Sequence, residues 1–327
     1  MRAVVITKHG DPSVLNVVEV DKPTPKRDEI LVKVRATSLN RADLMQRMGF
    51  YPDPFPGAHE IPGLEFAGTV EACGGSAKKW NLGDQVMGIV SGGAYAEYLV
   101  LPEMQAISVP NNIALSNAAA IPEVFMTAWD ALVCQANLQA GQWALVHAGA
   151  SGVGTAAIQI CKAIGAYVVV TCSAGKRDAC DNDVSADLAI DYKTQDFVEV
   201  VMQATHGKGV SAVLDVIGGD YLNRNVEALA LKGSIVQVGL MGGGSTAFNI
   251  GALMPKRARL IGTVLRPRPV EEKIALTQRF IGEMMPLFEV GKLRPVIDRR
   301  FGLDQIGDAH RFMESNANTG KIVIDVC

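Results

Sequence analysis

One stretch, His147-Ala148-Gly149-Ala150-Ser151-Gly152-Val153-Gly154, constrains the fold more than any other. It follows an apolar run, Trp143-Ala144-Leu145-Val146-His147, that reads as a buried strand. It opens a segment, residues 152–164, whose apolar side chains Val153, Ala156, Ala157, Ile160 and Ile164 recur at helical spacing. A small-residue turn between a strand and a helix is the setting a pyrophosphate-binding turn requires. Small side chains let the backbone approach the phosphates. The helix start supplies N–H groups without intrahelical acceptors and the positive end of the dipole. The spacing departs from strict G-x-G-x-x-G, and a plain tight turn would look similar. The neighbouring sequence decides between the two.

That neighbourhood repeats one unit. Tyr167-Val168-Val169-Val170-Thr171, Leu188-Ala189-Ile190, Ala212-Val213-Leu214-Asp215-Val216, Ser234-Ile235-Val236-Gln237-Val238 and Leu260-Ile261-Gly262-Thr263-Val264 are further apolar runs, most of them separated by helical stretches. Continuous apolar strands alternating with helices imply a parallel sheet covered on both faces. Six strands in this rhythm fit a doubly wound dinucleotide fold of the α/β class. Residues 1 to about 120 read differently. Short runs around Val4, Val17, Val32 and Leu99 are bounded by Gly, Pro, Asp and Lys, as in a β-rich domain. Pro52, Pro54, Pro56 and Pro62 hold the intervening segment as an irregular loop. After two helical stretches the chain ends on Lys321-Ile322-Val323-Ile324-Asp325-Val326, a strand with no helix behind it. We therefore expect three segments: a β-rich domain at 1–122, a nucleotide domain at 123–265, and a return to the first domain at 266–327.

A dinucleotide site selective for NAD places Asp or Glu near the end of the second strand. Here that strand runs out through Val170-Thr171-Cys172-Ser173-Ala174-Gly175-Lys176-Arg177, with no carboxylate before Asp178. A hydroxyl and two cations stand where a carboxylate would repel a phosphate, which favours NADPH. A solvated helix start is the alternative use of Lys176 and Arg177.

The remaining composition excludes other classes. The net charge of −3 provides no basic field for nucleic acid. No run of about 18 apolar residues is present to span a membrane, and the N-terminal residues do not read as a signal peptide. The six cysteines lack C-x-x-C spacing, so we expect free thiols and a cytoplasmic protein.

At this point the residues resemble a known family. Asn40-Arg41-Ala42-Asp43, Ile61-Pro62-Gly63-Leu64-Glu65-Phe66-Ala67-Gly68, Leu82-Gly83-Asp84-Gln85-Val86, the turn at 147–154 and Gly239-Leu240-Met241-Gly242-Gly243 are similar to the medium-chain dehydrogenases/reductases of the quinone oxidoreductase branch. The likeness extends over the whole chain. Ala120-Ile121-Pro122-Glu123-Val124-Phe125 with Thr127-Ala128-Trp129 looks nearest to the tumour-suppressor-inducible group within it. The resemblance implies a GroES-like catalytic domain, a Rossmann domain with six parallel strands, and a cleft between them. It also implies a homodimer through the edge of the nucleotide sheet, for which residues 260–265 are the candidate strand. Carried over by position, Ser173, Lys176 and Tyr192 would hold the 2′-phosphate. Ser151, Gly152 and Val153 would meet the pyrophosphate. Asn40, Thr127, Gly239, Met241 and Leu265 would surround the nicotinamide, and Asn40 and Tyr51 would face the substrate. Residues 176–183 are more polar than the usual helix there, a departure that bears on the register of Lys176.

Zinc alcohol dehydrogenases resemble this chain too, but carry Cys in place of Asn40, Gly-His-Glu in place of Gly63-Leu64-Glu65, and a four-cysteine lobe after Gly93. Asn and Leu do not replace thiolate and imidazole as zinc ligands, so no metal is expected. The favoured substrate is then already electrophilic: a small-molecule quinone, taking hydride directly from the cofactor. An enone or enoyl-thioester reductase on the same scaffold, or a non-catalytic NADPH-binding protein, are the alternatives. Arg41, Arg47, Arg266 and Arg268 would have to furnish the basic mouth a carrier-bound substrate wants, unless they are solvated charges. Tyr51 is the one phenol nominated near the reacting oxygen, either donating a hydrogen bond or packing on the ring.

Overall fold

The computed structural model describes residues 1–327. Two units divide the chain: Met1–Glu123 with Leu265–Cys327, and Val124–Val264.

The first unit begins with an antiparallel pair, β1 (Arg2–Ile6) and β2 (Leu15–Glu19), in register at Val4 and Val17. Next come β3 (Glu29–Ser38), α1 (Arg41–Arg47), β4 (Glu65–Cys73), β5 (Gln85–Ile89), β6 (Tyr98–Pro102), β7 (Ile107–Ser108) and the short α2 (Leu115–Ala118). The central strand is β3, which pairs antiparallel with both β4 and β6. It is buried along most of its length, with Lys33 the one exposed residue between Val32 and Val34, as a strand covered on both sides by neighbours requires. The sequence reading passed over β4 and β5. Gly68 interrupts β4 because a side chain there would lie 2.2 Å from the Lys33 carbonyl oxygen across the sheet. That close approach breaks the apolar pattern by which strands are recognised. The run around Leu99 forms a strand only from Tyr98; Tyr95, ahead of it, is buried but irregular, and its carbonyl accepts from Val4 N–H at 2.8 Å.

The second unit takes up the chain within α3 (Pro122–Trp129). It continues as β8 (Trp143–Val146), α4 (Gly152–Ala163), β9 (Tyr167–Cys172), β10 (Leu188–Asp191), α5 (Phe197–Ala204), β11 (Val210–Asp215), α6 (Tyr221–Ala228), β12 (Leu229–Gln237), α7 (Leu253–Lys256) and β13 (Arg259–Gly262). All six strands run parallel in the order β10-β9-β8-β11-β12-β13. The winding reverses between β8 and β11, the position at which doubly wound sheets open a crevice at their carboxyl ends. The glycine turn follows β8. The start of β12 lies five residues before the apolar run that marks it, with Lys232 at φ 63° in a kink the pattern does not reveal.

After the second unit the chain forms α8 (Val270–Glu289), β14 (Ile297–Gly302), α9 (Ile306–Glu314) and β15 (Lys321–Asp325). Strand β15 pairs with β3, which closes the first unit's sheet. Ile322 and Ile324 join Val4, Ile30, Val32 and Phe66 in its core. No helix is long and apolar enough to cross a membrane.

Candidate functional site

In the nucleotide unit, the turn is built by close approach. A side chain on Gly149 would meet Val170 at 2.5 Å, and one on Gly154 would lie 2.3 Å from the Ala148 carbonyl oxygen. Ala148 itself sits at φ 55°, in the left-handed region. Ser151 caps α4: its Oγ accepts from Gly154 N–H at 3.0 Å, and its carbonyl accepts from Thr155 N–H at 2.8 Å. Of the orphan donors at this helix start, those of Gly152 and Val153 are left for an anion. The donor set therefore fits a pyrophosphate.

Ser173 and Tyr192 follow the adjacent strands β9 and β10, and Tyr192 N–H donates to the Cys172 carbonyl at 3.2 Å. Lys176 closes a tight turn onto the Ser173 carbonyl at 2.9 Å. These three residues thus gather at one end of the sheet. Residues 174–183 form a short 3-10 turn and a wide π turn in place of a regular α-helix, as Gly175 and the run Asp181-Asn182-Asp183 favour. Asp191 lies beside Tyr192, but its carboxylate is turned onto Lys193 N–H and Thr194 Oγ.

A buried chain that the sequence did not announce fixes the next loops. His147 Nδ1 meets Thr171 Oγ at 3.0 Å, and its Nε2 meets Asn225 Oδ1 at 2.7 Å. Asn225 donates to Asp215 at 2.8 Å, and Asp215 accepts from the N–H groups of Ile217 and Gly218. Burial holds His147 below the usual imidazole range. The loop so fixed pins Met241 and Gly242 through the carbonyls of Val216 and Ile217, while Gln237 Nε2 donates to the Gly239 carbonyl at 2.6 Å. Gly239 and Met241 are positioned by this scaffold. Thr127 lies half-buried on α3.

In the first unit, Asn40 starts α1 and belongs to a buried polar cluster. Its Nδ2 donates to Glu65 Oε1 at 3.0 Å, and its Oδ1 accepts from Lys321 Nζ at 2.7 Å. Lys321 also meets Glu65 Oε1 at 2.8 Å and donates to the Leu39 carbonyl at 2.6 Å, so its three protons are all used. Ser38 donates to the same Glu65 oxygen at 2.5 Å, and Glu65 Oε2 accepts from Glu123 N–H at 2.8 Å. Asp43 accepts from Asn40 N–H and from the Tyr95 hydroxyl; burial raises it to about 6. His310 beside Tyr95 is lowered to about 3, first by burial and then by Arg47.

Tyr51 is half-buried, with the Arg266 guanidinium 5.0 Å from its ring centre. Arg266 is 4% exposed and donates to the carbonyls of Ser91 and Tyr51 and to Gln46 Oε1. Leu265, one residue earlier, is buried. The arginines considered for a basic mouth divide accordingly. Arg47 and Arg266 are buried and committed to internal partners, neither solvated nor available as a mouth.

The residues standing at zinc-ligand positions do not suit zinc. Leu64 offers no donor atom, and the Lys321 ammonium lies against both Asn40 and Glu65, where a second cation would be repelled. No group of three or more His, Cys, Asp or Glu side chains has metal-holding geometry.

Comparison with known proteins agrees with this architecture. The alcohol dehydrogenase GroES-like domain matches residues 26–111, and the zinc-binding dehydrogenase family matches residues 184–324. The human synaptic vesicle membrane protein VAT-1 homolog is 30% identical over 99% of this chain and 86% of its own length. The chain belongs to the medium-chain dehydrogenase/reductase family. Human quinone oxidoreductase is 28% identical over 99% of this chain and 97% of its own, consistent with the zinc-independent quinone oxidoreductase branch. A mycobacterial protein, Rv1454c, solved as a complex with NADPH, superposes with a TM-score of 0.87 at 28% identity over 100% of both chains. The CurK enoyl reductase does so with a TM-score of 0.87 at 26% identity, covering 99% of this chain and 98% of that one. The chain is thus an oxidoreductase of this family with a Rossmann-type nucleotide unit. Sequence reasoning missed Lys321, Glu123 and the partners of Asn40. Their only signal was charge beside apolar runs, as where Lys321 opens an otherwise apolar strand.

Proposed function

We propose that this oxidoreductase reduces quinones with NADPH by direct hydride transfer, without a metal. The observation that carries the reading is the Lys321 ammonium seated on Asn40 and Glu65. It supplies the positive charge at this position with its protons committed to Leu39, Asn40 and Glu65, which suits a substrate that is electrophilic without a metal. The bound nicotinamide would supply the hydride. Gly152 and Val153 would meet the pyrophosphate, with Ser151 shaping the turn, and Ser173, Lys176 and Tyr192 would take the 2′-phosphate. Thr127, Gly239 and Met241 of the nucleotide unit would border the nicotinamide. The Lys321–Glu65 clamp would hold Asn40's amide in one orientation toward the substrate. Phe50 and Phe55, exposed on the loop that carries Tyr51, suit an aromatic substrate.

Burial, and after it Glu123, pushes the Tyr51 phenol above its usual range, so at neutral pH it is a hydrogen-bond donor. Tyr51→Phe is expected to lower turnover on a quinone while NADPH affinity, followed by its fluorescence, stays unchanged. Equal steady-state kinetics would remove Tyr51 from the mechanism. The likeness to the CurK enoyl reductase favours an enoyl-thioester reductase as the second reading, but the burial of Arg47 and Arg266 removes half of the basic mouth such a substrate would use. We also propose a homodimer through β13, an edge strand whose Leu260 is 43% exposed and is followed by Val264 at 49%.

A further inference from the structure

We propose that Glu123 is the proton-donating residue of the reductive step, resting on the quinone-reductase reading above. The placement is specific. Glu123 stands in the first turn of α3, and its backbone N–H is fixed by Glu65 Oε2 at 2.8 Å. The other oxygen of that same carboxylate fixes the amide of Asn40 at 3.0 Å. One buried carboxylate therefore sets both Asn40 and Glu123. Glu65 is held by Ser38, Asn40, Lys321 and the Glu123 backbone, with its charge matched by Lys321. The Glu123 carboxyl, by contrast, makes no hydrogen bond or ion pair within the chain, and the residue is half-buried rather than sealed in the core.

The charged groups facing it are Glu65 on β4, Asp43 on α1, Lys321 on β15 and Arg266 ahead of α8. Lys273 on α8 and the Tyr51 phenol also feel its charge. Burial first, and then Glu65, raise the Glu123 carboxyl to about 8, with Lys321 and Arg266 opposing. It carries its proton at neutral pH and loses it as pH rises through about 8.

The step balances with one proton. A quinone that has received a hydride carries negative charge on an oxygen. That oxygen forms an O–H bond as the Glu123 O–H bond breaks, leaving the electron pair on the carboxylate. Water then returns a proton to Glu123. No further oxidant or reductant is needed.

The test compares wild type, Glu123→Gln and Glu123→Asp in the intact protein, using NADPH with an ortho- and a para-quinone from pH 6 to pH 10. Wild-type kcat should fall on the alkaline side near pH 8. Glu123→Gln should lower kcat about a hundredfold or more and abolish that limb. Glu123→Asp should restore part of the rate together with a limb. NADPH fluorescence and thermal melting keep a folding defect distinguishable, since a purely structural role would not move the alkaline limb. If wild type turns over and Glu123→Gln keeps both its kcat and its limb, the assignment of Glu123 is overturned while quinone reduction stands. If wild type oxidises NADPH with neither quinone, the quinone reading fails and the proton-donor assignment fails with it.

Discussion

Replacing Lys321 with methionine is expected to destabilise the first unit by about 3–5 kcal/mol, because it leaves a buried carboxylate without its counter-charge. Glu65 is fully buried and Lys321 is 3% exposed, and they approach to 2.8 Å. The ammonium also donates to the Leu39 carbonyl and to Asn40 Oδ1, so the substitution removes those two donations along with the counter-charge of Glu65. The melting midpoint should fall by roughly 6–20 °C. The double variant Lys321→Met with Glu65→Gln should recover a large part of the loss, since no uncompensated charge then remains. A single-variant loss below about 1 kcal/mol, the range of an exposed pair, would mean that the cluster is not the buried unit described above.

Gly154→Ala tests the nucleotide unit in the same way. The added carbon would lie 2.3 Å from the Ala148 carbonyl oxygen and 2.4 Å from that of Gly149. Both are backbone atoms and neither swings aside, so helix α4 must move away from the turn. Overpacking of this kind costs about 1–3 kcal/mol. The larger effect is expected on the cofactor, because the shift displaces the Gly152 and Val153 N–H groups proposed to meet its pyrophosphate. We expect NADPH affinity to weaken more than about tenfold, or 1.4 kcal/mol. Gly282→Ala is the control: it is exposed within α8, nothing lies within 4 Å of the added carbon, and it should gain about 0.5–1 kcal/mol. Unchanged NADPH affinity in Gly154→Ala would remove the turn from cofactor binding.

The parts of this molecule that obey a local period were legible in its sequence. The six parallel strands are short apolar runs, and their alternation with helices leaves few topologies. The glycine turn was legible because its chemistry is contiguous: strand, cap, helix start and small residues occupy eight successive positions. Strand β4 was not legible as a strand, because Gly68 is dictated by the carbonyl of Lys33, far away in sequence. The cluster around Asn40 escaped for the same reason. Asn40, Glu65, Glu123 and Lys321 come from four separate elements, and only the pairing of β15 with β3 brings Lys321 to Asn40. Arg47 and Arg266 look in sequence like any surface arginine. Their burial follows from carbonyl acceptors on distant loops, Gly10 for one and Ser91 and Tyr51 for the other. Contiguous chemistry was readable here, and chemistry assembled across elements was not.

The central claim is that this chain spends NADPH on quinones. Its most direct test is the rate of cofactor oxidation by wild type with ortho- and para-quinones, measured as kcat/KM with NADPH and with NADH. Loss of a charged contact to the 2′-phosphate costs about 1.5–3 kcal/mol, or roughly ten- to a hundredfold. We predict quinone-dependent oxidation with NADPH favoured over NADH by at least that tenfold. Oxidation with a preference below tenfold would contradict the role of Ser173, Lys176 and Tyr192, and no quinone-dependent oxidation with either cofactor would contradict the claim itself.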